Sequence, residues 1–305
     1  MINPINKDFK TRLVEKIPSS KIIKQYQNDF KIDVSRFFKG IDFLHIYECE
    51  VTKYRFYFPF SLMGDSKFYI DLSARKKNYY HERWEHNISI NHARNGESWL
   101  EVGSGNSFFL KKLVKRGVSA LGLELNSDEV QRAKNEKFDV QDCDFFSFVP
   151  PKKGYDAIAS FQVLEHIKDV SNFFIKAGEM LKKHGKLIIG VPNNNPYLYV
   201  FDKYHTLNLP PHHMGLWTGQ SLKRVSREFG FEVIDLQYEP ISQSELDYIL
   251  SLFSFNQISV KNFKFLVLKF LRKYTPSKVY QVVSRYFRKS LVKGRNVLIV
   301  LEKVQ

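Results

Sequence analysis

Cysteine is nearly missing from this 305-residue chain, and long apolar runs are missing altogether. Only Cys49 and Cys143 occur, far apart and in no C-x-x-C pair. That argues against a disulfide framework and against a zinc site built from cysteines. No stretch reaches the roughly 18 consecutive apolar residues that a membrane-spanning helix needs. Met1–Lys16 mixes charged and polar residues with no apolar segment, so nothing there reads as a secretion signal, and the expected compartment is the cytoplasm. Acidic residues are absent between Asp247 and Glu302, whereas eleven lysines and arginines fall between Lys261 and Arg295. Much of the net charge of +15 is thus concentrated in one C-terminal stretch. What the chain does have is apolar material, 43% of residues with 15% aromatic, enough for a packed core.

Three textures follow one another. Residues 1 to about 90 are polar and aromatic-rich, with a helix predicted near Ser20–Phe30, β-like runs at Phe43–Tyr47 and Tyr54–Phe58, and a second helix over Lys77–Ala93. From Ser98 strand and helix alternate. Strands are predicted at Ser98–Val102, Ala120–Leu125, Phe138–Gln141, Tyr155–Phe161 and Lys186–Val191. Helices fall between them at Phe109–Arg116, after Asn126 or Ser127, and over Phe173–Leu181. Gly117 stands past the end of the first helix, and Asp128 and Glu129 occupy the first turn of the second, where the helix dipole favours negative charge. A helix at Ser221–Phe229 and strands at Phe231–Leu236 and Asn296–Lys303 complete the pattern. It predicts an α/β fold, a largely parallel sheet with helices on both faces.

The sharpest local signal is Leu100-Glu101-Val102-Gly103-Ser104-Gly105-Asn106, a strand running into a turn with two glycines. Glycines permit positive φ and let a ligand approach the main chain. The plain alternative is a structural turn with no ligand. Two features favour a ligand. Glu124 ends the next strand 21 residues after Gly103, about where an acidic side chain meets the hydroxyls of a cofactor ribose. Glu101 lies two residues before the first glycine, where a carboxylate repels a pyrophosphate but suits the ammonium and sulfonium of S-adenosylmethionine.

The run Glu101–Gly105 with Glu124 resembles the first two motifs of class I S-adenosylmethionine-dependent methyltransferases. The resemblance continues through Tyr155-Asp156-Ala157-Ile158, Gln162-Val163-Leu164-Glu165-His166 and Leu181–Asn193. The last two runs look like the branch that includes ubiquinone-biosynthesis O-methyltransferases. It spans about residues 98–238 and the final strand. Ser107 stands where the family's turn usually has a third small residue. The resemblance implies a Rossmann-like seven-stranded sheet over residues 96–240 and 294–305, an N-terminal extension or lid over 1–95, and a basic helical insertion over 241–293. It also implies that Glu101, Gly103, Ser104 and Gly105 line the methionine end of the cofactor and that Glu124, with Leu125, holds the ribose. Asp142 would face the adenine amine, with Cys143 or Asp144 adjacent, and Gln162 opens the loop after the fourth strand.

Methyl transfer asks the protein to align a nucleophile and, where needed, remove its proton. Four histidines come into question: His166, His205, His212 and His213. His166 follows the fourth strand and equally reads as a residue packed beside the sheet. His212 and His213 sit in Asn208-Leu209-Pro210-Pro211-His212-His213-Met214-Gly215-Leu216-Trp217, either a substrate wall or plain loop architecture. His166, His212 and His213 are the candidate bases, His212 slightly favoured. No metal is expected, because no third ligand stands near the histidine pair in the sequence. Tyr80 and Trp84 are candidate lid residues, or core of a small subdomain.

The basic stretch interleaves Phe263, Phe265, Leu266, Leu268, Phe270 and Leu271 with lysines. Peripheral contact of 261–295 with an anionic membrane is one reading, and packing on the enzyme or on a second copy in a homodimer is the other. Nucleic acid is disfavoured, since the core motifs carry no basic-aromatic track. The expected acceptor is a small molecule, sugar or glycan precursor, methylated on oxygen by preference. Two rivals stand beside this reading. One is an NAD-dependent oxidoreductase or sugar epimerase; the other is a non-catalytic basic protein that binds membrane or nucleic acid.

Overall fold

The computed structural model describes residues 3–76, 80–194, 203–252, 263–291 and 293–304, without the side chains of 252, 263–265 and 287–291. The N-terminal region opens with β1 (Thr11–Pro18), α1 (Ser19–Phe30), β2 (Phe43–Cys49), β3 (Arg55–Phe58) and α2 (Ser66–Arg75). The predicted helix and both β-like runs are present, whereas β1 and α2 were not anticipated. Helix α2 begins where the Asp65 carboxylate accepts from the Phe68 N–H at 2.9 Å, a side-chain cap that offsets an otherwise mixed polar-aromatic run.

The helix predicted over Lys77–Ala93 is much shorter. Residues 77–79 lie outside the described residues. Helix α3 spans only Trp84–Ser89, with a 3-10 turn at Ile90–His92. Its start is set by His86, whose Nδ1 accepts the Arg83 N–H at 3.3 Å. The aromatic and histidine residues of this stretch are indifferent helix formers and bury against neighbouring elements instead.

From Ser98 the chain alternates as predicted: β4 (Ser98–Val102), α4 (Phe108–Lys115), β5 (Ser119–Glu124), α5 (Ser127–Asn135), β6 (Val140–Asp142), β7 (Tyr155–Phe161), α6 (Val170–Met180) and β8 (Leu181–Pro192). Gly117 takes φ +77° just past α4, and the Asn126 side chain caps α5 by accepting from the Asp128 N–H at 3.1 Å. A two-residue strand β9 (Gly215–Leu216), α7 (Gly219–Glu228) and β10 (Phe231–Tyr238) follow. Then come α8 (Gln243–Leu252), α9 (Phe263–Tyr274), α10 (Ser277–Leu291) and β11 (Asn296–Lys303).

Seven strands form the main sheet in the order β10-β11-β8-β7-β4-β5-β6. Strand β11 is antiparallel to both β8 and β10, and the other neighbouring pairs are parallel. This is the largely parallel Rossmann-like sheet that alternation predicts. Side chains leave it on two faces with period two. Leu100, Ile158, Leu187, Ile189, Val297 and Ile299 enter one apolar cluster. Trp99, Ala157, Ala159, Ile188, Leu298 and Val300 enter the other. Burial on both faces is why β4, β7 and β8 read as apolar runs. From β4 the chain runs outward through β5 to β6, while β7 and β8 build the opposite half. The crevice where the order reverses lies at the carboxyl ends of β4 and β7, the place where such sheets bind ligands.

A second sheet, of order β1-β2-β3-β9, joins the N-terminal region to this crevice. Gly215 and Leu216 pair with Phe56 and Arg55 of β3. Tyr54 and Phe56 reach the core of the main sheet, and the Tyr54 ring lies 4.1 Å from that of Trp217. The helices α8–α10 pack on one another: Ser284 donates to Gln243 Oε1 at 2.8 Å, Arg272 to the Asp247 carbonyl at 2.8 Å, and Tyr280 to the Asp247 carboxylate. Lys261 and Asn262 of the basic stretch lie outside the described residues, as do the side chains of Phe263 and Phe265.

Candidate active site

The crevice opens into a cavity of about 1150 Å³. One end is the glycine turn. Gly103 and Gly105 both take positive φ, +73° and +48°, and a Cβ at Gly103 would lie 2.5 Å from Val163 Cγ2. The turn therefore needs glycine on conformation and on space. Ser107 also has φ +59°, so the residue in place of a third small one holds the left-handed backbone despite its side chain.

Two carboxylates flank the turn. Glu101 is buried, and its Oε2 has no hydrogen-bond partner. Burial, reinforced by the charge of Glu124, pushes its pKa well above the ordinary carboxylate range. Glu124 braces the turn instead: its Oε2 accepts from the Gly105 N–H at 2.8 Å, and its Oε1 from the N–H groups of Leu125 and Asn126 at 2.9 and 2.8 Å. An ionised carboxylate has about four acceptor sites, so three amides leave room for one hydroxyl. Tyr80 closes over the turn; a Cβ at Gly105 would lie 2.9 Å from its ring, and the Asn126 amide donates to its hydroxyl at 3.3 Å.

The remaining sequence-predicted positions divide. Ser104, Leu125, Cys143 and Gln162 line the cavity with the turn. Gln162 has φ +57° and donates to Glu85 Oε1 at 2.8 Å and to Asn296 at 3.2 Å, which ties β7 to α3 and β11. Asp142 does not line the cavity. It ends β6 with its side chain exposed and accepts from the Ser127 hydroxyl at 3.1 Å, while Asp144, two residues on, does line it.

Toward the N-terminal sheet the same cavity is walled by His166, His212 and His213. Their ring centroids lie 4.4–4.9 Å apart. This corrects the expectation that the histidine pair lacks a third partner. His166 is 46 residues away in sequence, but Met214 donates to the Glu165 carbonyl at 2.8 Å and pins the two segments together. Tyr57 holds the same loop through the Met214 and Asn208 carbonyls. Each ring is oriented through Nδ1. His166 Nδ1 sits 2.5 Å from the His212 carbonyl and 3.1 Å from the Tyr69 hydroxyl. His212 Nδ1 lies 2.8 Å from the Leu207 carbonyl, and His213 Nδ1 lies 3.3 Å from Asn208 Oδ1. Asn208 is fixed in turn by donating to Asn194 at 2.8 Å. Burial holds all three imidazoles below the usual histidine pKa, so they are neutral near pH 7.

Glu165, which drew no role from the sequence, stands at the centre of this wall. It is 1% exposed, neither carboxylate oxygen has a hydrogen-bond partner, and burial raises its pKa to about 8. Its Oε1 lies 4.0 Å from His166 Nε2 and 3.9 Å from His213 Nε2. Glu85 is a second such group, fully buried with one partnerless oxygen. The available signal for Glu165 was an acidic residue after the apolar pair Val163-Leu164, four positions past the end of β7, where a carboxylate is costly to bury unless something uses it. His205 also lines the cavity, while Trp84 packs against the cluster behind β4.

Comparison with known proteins places this geometry in a class. Residues 76–236, more than half of the chain, match the family described as "Methyltransferase domain". The chain belongs to this family, and the cofactor of its methyltransferase domain is S-adenosylmethionine. A ubiquinone biosynthesis O-methyltransferase of Pelagibacter ubique is 26% identical over 107 residues, 33% of this chain and 45% of that protein. A probable S-adenosylmethionine-dependent methyltransferase of Mycolicibacterium smegmatis is 24% identical over 163 residues, 52% of this chain and 62% of that one. The chain thus spans about half the length of the curated relatives it matches. A solved S-adenosylmethionine-dependent methyltransferase from Archaeoglobus fulgidus shares the fold with TM-score 0.50 and 16% identity, over 78% of this chain and all of that one.

The residues present fit that cofactor. A buried carboxylate with an unpartnered oxygen beneath a two-glycine turn calls for a cation, which the methionine end supplies, and it opposes a diphosphate.

Proposed function

We propose that this protein transfers the methyl group of S-adenosylmethionine to an oxygen of a small molecule, with a sugar or glycan precursor as the acceptor class. The observation that carries the reading is the partnerless Glu101 carboxylate under the glycine turn. Bound there, the cofactor supplies a methyl carbon activated by its sulfonium. Glu101, Gly103, Ser104 and Gly105 hold its amino-acid end, Glu124 and Leu125 its ribose, and Cys143 with Asp144, in place of the expected Asp142, its adenine; Gln162 fixes the loop between the two ends. The acceptor lies toward His166, His212 and His213. Neutral imidazoles whose Nδ1 atoms face oxygens offer Nε2 as the proton acceptor for an attacking hydroxyl. Tyr69 and Asn208 keep two of the rings aligned for that task. The polar and aromatic side chains on this wall suit a hydroxyl-bearing small molecule, with Lys76, Arg83 and Arg295 lining the same cavity.

Calorimetric titration with S-adenosylmethionine, S-adenosylhomocysteine and NAD tests the reading. Binding of the first two and none of the third is expected. Flat traces for both sulfur compounds would end it. Incubating extract fractions with isotopically labelled cofactor then reports the acceptor.

A further inference from the structure

The histidine wall holds more nitrogen and oxygen donors than a single general base requires. One ligand atom from each of His166, His212 and His213 lies within 4.8 Å of those of the other two. The Glu165 carboxylate faces His166 Nε2 and His213 Nε2 at 4.0 and 3.9 Å, buried and without a hydrogen-bond partner. We propose that His166, His212, His213 and Glu165 form a binding site for a divalent transition-metal ion of the zinc class, opening onto the acceptor side of the cavity.

Four features support this. First, imidazoles that bind metal almost always direct their other nitrogen at a carbonyl, carboxylate or amide oxygen, which fixes the ring and its tautomer. All three rings do so, through the His212 carbonyl, the Leu207 carbonyl and Asn208 Oδ1. The Asn194–Asn208 hydrogen bond extends that support by one layer. Second, a buried carboxylate with two unsatisfied oxygens is costly as it stands, and an ion among these nitrogens would satisfy it. Third, the donors need to close by no more than side-chain rotation can supply. Ligands about 2.0–2.2 Å from a common ion lie roughly 3–3.5 Å from one another, so the Glu165 separations of 3.9 and 4.0 Å close by about half an ångström to an ångström, and the imidazole atoms, within 4.8 Å of one another, by at most about 1.8 Å, within reach of side-chain rotation. Fourth, the composition selects the ion. Three imidazoles and one carboxylate suit zinc, iron, cobalt or manganese, whereas calcium and magnesium prefer all-oxygen cages. Arg83 acts electrostatically on both Glu165 and His166, and Lys76 on His212 and His213. Two such cations raise the cost of bringing in another positive charge, so the Glu165 carboxylate is needed as a ligand and not merely as a neighbour.

An ion held there would take over the role given above to the imidazoles, fixing the acceptor oxygen beside the methyl group. That role rests on the methyl-transfer reading; the site itself does not.

The test uses the full chain, stripped with chelator and reloaded with Co²⁺ or Zn²⁺. Metal content is read by elemental analysis, ligand geometry by the visible absorption of Co²⁺, and S-adenosylhomocysteine affinity by calorimetry on the same stripped sample. The expected result is about one ion per chain, with an absorption spectrum of mixed nitrogen and oxygen ligation. Glu165→Gln and His213→Asn should each weaken ion binding by at least tenfold while leaving S-adenosylhomocysteine affinity within about twofold. If His213→Asn fails to fold, His166→Gln, at a ring 20% exposed, serves in its place. A stripped wild-type chain that takes up no ion, or variants that bind it as well as wild type, would overturn the site. Failure of S-adenosylhomocysteine binding with ion binding intact would instead strike the methyl-transfer reading alone.

Discussion

Replacing Glu101 by glutamine separates a cofactor role from a structural one, because the two predict different signs. The side chain is 2% exposed and Oε2 has no partner. With no cation nearby, burial favours the protonated acid, and glutamine is close to that acid in size and polarity. Glu101→Gln should therefore change the stability of the free protein by less than about 1 kcal/mol. Binding is another matter. A hydrogen bond to a charged group contributes about 1.5–3 kcal/mol, so losing the carboxylate opposite an ammonium should raise the Kd for S-adenosylhomocysteine about 10- to 100-fold. Adenosine lacks that ammonium, so its affinity should not change. There is also a proton to count. Because the pKa of Glu101 is raised in the free protein, placing a cation beside it favours ionisation, and binding releases protons. Wild-type affinity should then rise with pH until Glu101 is already ionised, and the variant should lose that dependence. Calorimetry in two buffers of different ionisation enthalpy measures the released protons, and a thermal melt measures stability. Unchanged affinity for S-adenosylhomocysteine, or equal losses for it and for adenosine, would refute the reasoning.

Other consequences follow from the same structure. Gly103→Ala places a methyl 2.5 Å from Val163 at a φ of +73°; the left-handed backbone alone costs about 1–2 kcal/mol, so a lower melting temperature and lost cofactor binding are expected, and a wild-type melt would contradict the close approach. His86 is buried, with its pKa depressed to about 3, chiefly by desolvation. The unfolded chain takes up this proton first, so the contribution is present above pH 6.5 and is lost as pH falls from there toward 3. His86→Gln should flatten the stability slope between about pH 6 and 4 by up to roughly 1.4 kcal/mol per unit, and equal slopes would remove His86 from the account. Helix α10 leaves Val279, Val282 and Tyr286 exposed at 46%, 60% and 81%. If the basic stretch meets anionic membrane, the protein should sediment with phosphatidylserine vesicles at low salt and be released as salt rises; recovery in the supernatant at every salt concentration would leave self-association or packing as its role.

The sequence carried the sheet well because its signals are local. Ser98–Val102, Tyr155–Phe161 and Asn296–Lys303 are strands at the predicted residues, since burial on both faces leaves short segments that are largely apolar. The glycine turn was legible for a similar reason: positive φ at Gly103 and Gly105 demands the residue type on the spot. Elements held by tertiary contacts were not. Strand β1 alternates weakly and exists because β2 pairs with it, and α2 depends on the Asp65 cap more than on its own apolar stripe.

The histidine wall belongs to this second kind. Nothing near His212 and His213 in the sequence announces His166. What joins them is the backbone hydrogen bond from Met214 to Glu165, the contacts of His166 Nδ1 and the Tyr69 hydroxyl with the His212 carbonyl, and the pairing of Gly215 and Leu216 with β3. Those contacts belong to the N-terminal sheet as much as to the main one, so that sheet does more than cover the crevice: it sets the loop that carries His212 and His213. A change in β3 that loosens its pairing with β9 should then disturb the histidines before it disturbs the glycine turn, because the turn ends β4 and donates its hydrogen bonds to Leu123 and Glu124 of β5, not to the second sheet. The histidine wall and the glycine turn are in this way built on different parts of one chain, the first readable only after folding and the second from the residues themselves.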